Sequence, residues 1–247
     1  MKIFHVGCDA MPAMPPNVAC IGNFDGVHKG HQALVSAACQ QGQAEGVASA
    51  AIIFNPDPRT SYMPIESIFY LTTVRQRLAL FEQQGLAMAM IIEFDECMRD
   101  MEPDDFVTGI LGRMNIRQLI CGFDFSFGRG GHGHYEDLIG IGGQYFRTLK
   151  IPQVSYDQAK ISTTRICDCL AEGRLDLATA MMGHPWQWQG RLEKGWLTPA
   201  IRYARLPDGM YTVNYAGCLM DAVLSQGRLH IEAPDDPEAV LTFVVGR

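Results

Sequence analysis

Cys20-Ile-Gly-Asn-Phe-Asp-Gly-Val-His-Lys-Gly-His31 joins two runs of different character. The run from Asn17 into Ile21 is short and apolar and reads as a buried strand. Beyond the stretch, Gln32-Ala-Leu-Val-Ser-Ala-Ala-Cys39 repeats its apolar residues at helical spacing. Glycines 22, 26 and 30 punctuate the join. A strand, a Gly-punctuated loop and a helix start together suit a phosphate chain. The first N–H groups of a helix are unpaired, its dipole favours an anion, and glycine lets the backbone approach a ligand closely.

The alternation continues outward. Residues 1–16 are a lead-in with an edge strand from Lys2 to Val6. The helix after the loop is expected from about His31 to Glu45, and the next strand from Ala48 to Asn55. Pro56-Asp-Pro-Arg-Thr60 through Pro64 is irregular, because proline removes donors and fixes φ. Thr72 or Thr73 caps a helix to Gln84, Gly85 ends it, and a strand covers Ala87–Ile92. Glu102-Pro-Asp-Asp105 starts a helix to about Met114, with acids at its positive end. A strand at Gln118–Cys121, a Gly- and aromatic-rich loop, a helix near Tyr135–Ile141 and a strand near Gln153–Tyr156 complete the series. Successive βα units predict an α/β fold with a doubly wound parallel sheet.

After Lys160 the pattern changes. Ser162-Thr-Thr-Arg165 opens a short helix, and Leu175 to Met182 forms another. From Pro185 the signal is β. Trp186 to Leu192, Gly209 to Tyr215, Arg228 to Ile231 and Ala239 to Val245 alternate, which predicts a small antiparallel β-barrel or half-barrel. The domain boundary is expected near Gly183, giving domains over 1–183 and 184–247.

The 247 residues are 47% hydrophobic and 19% charged, as in an ordinary globular chain, with a formal net charge of −7. That balance argues against a nucleic-acid or anionic-membrane partner, which would want a basic face. It leaves room for a small nucleotide held by a local basic site. The eight cysteines form no CxxC pair and read as small buried hydrophobes in a reducing cytosol. Neither a signal peptide nor an apolar run of membrane-spanning length is evident, so the expectation is a cytoplasmic protein.

Four constellations carry chemistry. His28 and His31 lie three apart at a helix start and would project to one side. At a phosphate site they would donate hydrogen bonds to an α-phosphate whose charge grows in the transition state. Ser162, Thr163, Thr164 and Arg165 suit either a helix cap or a phosphate; alone, capping suffices. In Gly122-Phe-Asp-Phe-Ser-Phe-Gly128, Phe123, Phe125 and Phe127 suit a flat ligand with Asp124 as polar handle, though core packing accounts for at least one ring. Phe54-Asn-Pro-Asp-Pro58 is, by itself, a turn. All four follow expected strands, where open α/β sheets bind ligands.

Residues 22–31 resemble the phosphate motif of the HxGH nucleotidyltransferases, in the form found in bacterial bifunctional riboflavin kinase/FAD synthetases. Residues 122–128 are similar to that family's G-x-D-F-x-F-G, 161–167 to I-S-S-T-R-I-R, and 54–58 to F-D-P-H-P. Met182-Gly-His-Pro-Trp186, Gln189-Gly190 and Gly209-Met-Tyr-Thr-Val213 are similar to the segments that open the kinase barrel. The resemblance covers roughly residues 17–216. It implies a Rossmann-like HxGH fold that transfers AMP from ATP to FMN with Mg²⁺, giving FAD and pyrophosphate. By the same resemblance His28 and His31 are catalytic. Gly22, Phe24, Asp25, Gly30, Ser162, Thr163, Thr164 and Arg165 would bind ATP. Asn55, Asp124, Phe125 and Phe127 would face the flavin, and Asp124 the metal.

The departures are specific. The last arginine of I-S-S-T-R-I-R is Cys167, and no thiol replaces its bidentate contacts. The histidine of F-D-P-H-P is Asp57, which would repel a nearby phosphate. The kinase signature G-R-x-L-G-F-P-T-A-N should fall near Gly195–Tyr203, where this chain has Gly-Trp-Leu-Thr-Pro-Ala-Ile-Arg-Tyr. The chain also ends at Arg247, short of the helix expected after a complete kinase barrel. The expectation is a truncated, degenerate barrel without riboflavin kinase activity. The alternatives are a non-catalytic flavin- or nucleotide-binding protein, and an adenylyl- or cytidylyltransferase acting on another phosphorylated acceptor.

Overall fold

The computed structural model describes residues 1–245; Gly246 and Arg247, which end the expected 184–247 domain, lie outside the described residues. The chain packs as two compact units, each drawn from several stretches. The first comprises Met1–Phe24, Gly30–Ile65 and Leu78–Val154, and the second Asp25–Lys29, Glu66–Arg77 and Ser155–Arg247.

The first unit is built on a six-stranded parallel sheet. Its strands are β1 (Lys2–Val6), β2 (Asn17–Ile21), β3 (Ala48–Asn55), β4 (Met88–Glu93), β5 (Ile116–Gly122) and β6 (Arg147–Ile151), in the order β1-β4-β3-β2-β5-β6. The central strand β2 is buried at every position, as a strand covered on both faces must be. It pairs Cys20 with Ala51 on one side and Ile120 on the other. Helix α1 (Lys29–Glu45) crosses from β2 to β3, and α2 (Val74–Gln83) leads to β4. Thr73 and Gln76 cap α2 reciprocally through side chain and backbone, and Gly85, at φ +86°, follows its end. Helix α3 (Glu96–Arg99) follows β4. A helical run then passes from α4 (Pro103–Asp105) through a π turn (Phe106–Ile110) to a 3₁₀ turn (Leu111–Arg113), burying Phe106, Val107, Ile110 and Leu111 in the core with Ile52, Met88 and Met90.

Two expectations are corrected here. The sheet strand expected at 153–156 is instead β6 at Arg147–Ile151; its charged residues Arg147 and Lys150 hid it, Pro152 follows its end, and Ser155–Tyr156 pairs only in a short hairpin. The cysteines are not all buried thiols. Cys8 and Cys97 form a disulfide with Cα atoms 6.6 Å apart, and Cys218 is exposed, whereas Cys20, Cys121 and Cys169 are buried. β1 and β4 are neighbours in the sheet, so the loop after one and the helix after the other meet. No local pattern encodes that neighbourhood.

In the second unit, Ser155–Tyr156 and Ala159–Lys160 form a small hairpin, β7–β8. Helices α5 (Tyr135–Gly140, in the first unit), α6 (Thr163–Ala171) and α7 (Leu175–Met182) complete the helical count, and left-handed Gly183 ends α7. Six antiparallel strands close a barrel: β9 (Gln187–Glu193), β10 (Trp196–Pro199), β11 (Gly209–Tyr215), β12 (Cys218–Ser225), β13 (Arg228–Ile231) and β14 (Asp236–Phe243). Closure leaves no unpaired sheet edge. Strands β10 and β12 carried no clear alternation in the sequence. Trp186, fully buried, stacks 5.3 Å from Phe243 and donates its indole N–H to the Leu71 carbonyl at 2.9 Å.

Candidate nucleotide and flavin site

The strand order reverses between β2 and β5, because β3, β4 and β1 lie on one side of β2 and β5 and β6 on the other. Such a switch point opens a crevice at the carboxyl ends of the strands. The loop beginning at Gly22 leaves β2 there, and the loop beginning at Phe123 leaves β5. Gly22 N donates to the Ile52 carbonyl at 3.1 Å, which fixes the exit of the first loop. Phe24 follows at φ +55°, a left-handed conformation that side chains rarely adopt. Its ring is fully buried, 5.3 Å edge-on from Phe81 and 5.1 Å from the His31 ring, so it orients His31 in the first turn of α1. Gly30 lies in the same turn.

Asp25, Gly26 and His28 belong to the second unit, and all three are buried. The Asp25 carboxylate accepts from Leu71 N (3.0 Å), Thr72 N (2.9 Å) and Thr72 Oγ1 (3.1 Å). Gly26 N in turn donates to Thr72 Oγ1 at 2.8 Å. The carboxylate that the resemblance assigns to ATP therefore pins this turn to residues 71–72. His184, which sequence reasoning did not single out, sets Nε2 2.9 Å from the Gly26 carbonyl. Its only signal was its place in Met182-Gly-His-Pro-Trp186.

At α6, Ser162 Oγ accepts from Arg165 N at 3.2 Å, a helix cap. Thr163 Oγ1 donates to the Asp25 carbonyl at 3.3 Å, and Thr164 is exposed. Arg165 Nη1 donates to the carbonyls of Tyr156, Ala159 and Lys160. The guanidinium thus staples the β7–β8 hairpin to α6.

Within the first unit a cavity of about 680 Å³ lies beyond the ends of the strands. Phe54, Phe94, Phe106 and Phe127 give it an aromatic wall, and Arg59, Arg99 and Arg129 stand at it. Phe106 and Phe127 lie 5.6 Å apart, and Phe125 stacks on Phe127 at 5.8 Å and 19°. Phe127 is buried, Phe125 half-buried and Asp124 exposed. Each arginine carries an acid partner: Asp57 at 2.8 Å, Asp100 at 2.7 Å and Glu102 at 3.2 Å, respectively. Asp57, expected to repel phosphate, is bound by Arg59 through both oxygens and by Asn23 Nδ2 at 2.7 Å. Burial raises its carboxyl pKa, but the Arg59 and Asn23 hydrogen bonds outweigh that and hold it below the ordinary range. Its charge is thus neutralised locally.

Asn55, the exposed last residue of β3, is not in the wall of this cavity. Asp124 and Phe125 line a smaller neighbour of about 390 Å³ with His134, Tyr135, Glu136 and Lys150. Phe94, Arg99, Phe106 and Arg129 escaped sequence reasoning, since no motif marks them; their signal is position after strands or at helix starts. Among the described residues the one close group of three side chains of metal-ligand type is Cys8, Asp95 and Cys97, whose two sulfurs are joined in the disulfide, and it does not include Asp124. No helix among the described residues is long and apolar enough to cross a membrane.

Comparison with known proteins agrees with this arrangement. The FAD synthetase family model matches residues 11–165. A bifunctional riboflavin kinase/FMN adenylyltransferase of Buchnera aphidicola (Schizaphis graminum) is 34% identical over 178 residues, 71% of this chain and 57% of that protein. The protein of the same name from Pseudomonas fluorescens is 33% identical over 193 residues, 77% of this chain and 59% of its own length. The chain thus spans less than two thirds of these relatives. In fold it is similar to a crystal structure described as a macrolide-efflux protein from Streptococcus pneumoniae, with a TM-score of 0.83 at 21% identity over 98% of this chain and 89% of that one. With more than half of its length matched by the family model, and with the HxGH loop at the switch point of a parallel sheet, this chain belongs to the FAD synthetase family.

Proposed function

We propose that the chain is an FMN adenylyltransferase: an FMN phosphate oxygen attacks the α-phosphorus of ATP, the bond to the β-phosphate bridging oxygen breaks, and FAD and pyrophosphate leave. The observation that carries this is the 680 Å³ cavity at the ends of the parallel strands, with four phenylalanines for a flat ring and three arginines for a phosphate. In-line attack by a bound phosphate needs no covalent intermediate; positioning and charge stabilisation suffice. His28 and His31 would donate to the α-phosphate oxygens as their charge grows, assisted by the start of α1. Gly22, Phe24 and Gly30 would shape the nucleotide loop, and Asp25 would act on it through residues 71–72. Ser162, Thr163, Thr164 and Arg165 would hold the triphosphate tail. Magnesium would enter with ATP, and Asp124 offers the single carboxylate such an ion commonly takes from protein when phosphates supply the rest. Phe125 and Phe127 would back the flavin, with Asn55 at the edge. We assign this activity to residues 1–183, to the cytoplasm where ATP and FMN are available, and to small-molecule partners rather than nucleic acid.

Residues 184–247 are read as a degenerate kinase barrel, since Gly195–Tyr203 lacks the P-T-A-N element. Riboflavin with ATP is therefore expected to yield no FMN, and robust FMN formation by the purified chain would sink that assignment. A second reading, a flavin- or nucleotide-binding protein without turnover, is favoured by Arg165, whose Nη1 is already engaged by three carbonyls. Incubation with ATP, Mg²⁺ and FMN separates the two. FAD and pyrophosphate from the native chain, lost in His28→Ala, support the adenylyltransferase. FMN binding without FAD selects the second reading, and turnover of another phosphorylated acceptor selects a transferase of different specificity.

A further inference from the structure

We propose that the Cys8–Cys97 bond is a thiol–disulfide exchange site, opened by a small dithiol, and that opening it loosens one wall of the larger cavity. Both cysteines and that cavity lie in the first unit. The exchange stands apart from the adenylyltransferase reading; only its effect on FMN rests on that reading.

The surroundings of the bond distinguish it from a structural staple. The other six cysteines are free thiols, among them exposed Cys218 and half-buried Cys39 and Cys167. A single bridge among free thiols is not the framework of a disulfide-dense domain, and single bridges in reducing compartments are mostly transient and redox-sensing. Cys97 is exposed and Cys8 half-buried, so Cys97 is the side open to a nucleophile from solvent. Asp95 Oδ1 lies 4.0 Å from Cys8 Sγ, so a thiol released at Cys8 has an acceptor beside it. A thiolate of the dithiol attacks Cys97 Sγ, the bond to Cys8 Sγ breaks, and Cys8 leaves as a thiolate that takes a proton from solvent. The second thiolate of the dithiol then attacks its own sulfur in the mixed disulfide, and Cys97 leaves and is protonated in turn. Two electrons pass to the protein, and the dithiol becomes a cyclic disulfide. An oxidised dithiol reverses the step.

The bond bears on the cavity through α3. Phe94, Met98, Arg99 and Asp100 stand in the cavity wall. Helix α3 is four residues long, a single turn that its own hydrogen bonds cannot sustain. Asp95 Oδ1 accepts from Met98 N at 2.8 Å and the Asp95 carbonyl from Arg99 N at 2.9 Å, but both contacts are internal to the turn. Arg99 pairs with its neighbour Asp100, also internally. The chain is held on either side, where Phe94 N donates to the Asn55 carbonyl and Arg129 N to the Met101 carbonyl. Between these points the turn is tied to the rest of the unit by Met98, buried in the core, and by the bond to Cys8. Reduction removes the covalent tie. A wall held in place binds a rigid ring and its phosphate at lower ordering cost, so the oxidised chain should bind FMN more tightly than the reduced one.

The test treats the folded full chain with dithiothreitol, counts its thiols and follows amide hydrogen exchange. Two thiols per chain should appear, and oxidised dithiothreitol should remove them. The amides of Met98, Arg99 and Asp100 should exchange severalfold faster in the reduced chain, with β9–β14 unchanged. Cys97→Ser should show the reduced chain's exchange with or without dithiol. A bond that dithiothreitol leaves intact in the folded chain, or reduction that leaves exchange at 98–100 unaltered, would overturn the proposal. Equilibrium dialysis of FMN against both forms should give a severalfold higher Kd for the reduced chain, and equal affinities would overturn the coupling to the cavity. If the turn responds to reduction and FMN binds neither form, the exchange site stands and the flavin reading of the cavity falls.

Discussion

Gly26 shows how one residue holds a loop. It sits at φ +77°, and a Cβ there would lie 2.5 Å from Leu71 Cδ1. Gly26→Ala meets both penalties, and a loss of about 1–3 kcal/mol, read as a Tm lower by several degrees, is expected. Asp57 is a second case. Its folded pKa is depressed, so its stabilisation is fully present above the unfolded value of about 3.9 and disappears as pH falls through the folded value. Asp57→Asn should cost about 1–2 kcal/mol near neutrality, discounted because Arg59 stays partly in water. Thermal melts from pH 2 to 6 should show the native and variant curves converging at the acid end; a gap independent of pH would exclude the charge as the cause. Cys167→Arg restores the cation of the family motif, and a lower KM for ATP is expected in the FAD assay. A neutral or harmful effect would mean that the surroundings have been rebuilt around the thiol.

Elements contribute through what they bring together. The disulfide ties the end of β1 to α3 across 89 residues of sequence, and Met98 and Arg99 of α3 stand in the wall of the larger cavity. Closing so long a loop restricts the unfolded chain, typically by about 2–4 kcal/mol. Reductant and Cys8→Ser should each lower Tm, and reductant should add nothing further in the variant. Equal Tm values with and without reductant in the native chain would show that the bond contributes no stability. The same pairing explains a failure of sequence reasoning: Cys8 and Cys97 meet only because β1 and β4 are neighbours.

At the scale of the molecule, the second unit interleaves with the sequence of the first. Residues 66–77 depend on residues from the barrel region: Trp186 binds the Leu71 carbonyl, Gln189 accepts from Thr73 Oγ1 at 3.2 Å, and Tyr70 pairs with Tyr203. Residues 1–183 expressed alone should therefore expose 66–77, and limited proteolysis should cut there first. A 1–183 fragment as resistant as the full chain would remove this coupling. The sequence by itself determined the strand–loop–helix at 17–45, the caps of α2 and α6, the alternation of βα units and the β character of the C-terminal part. Those features follow from side-chain periodicity, glycine and capping chemistry, which act over a few residues. Only the tertiary structure decided that β2 lies beside β5, that Asp57 is neutralised by Arg59 and Asn23, that Asp25 braces a turn, and which strands close the barrel. Strand order and buried pairing depend on covering both faces of a sheet, a requirement on residues far apart in the chain that no local pattern records.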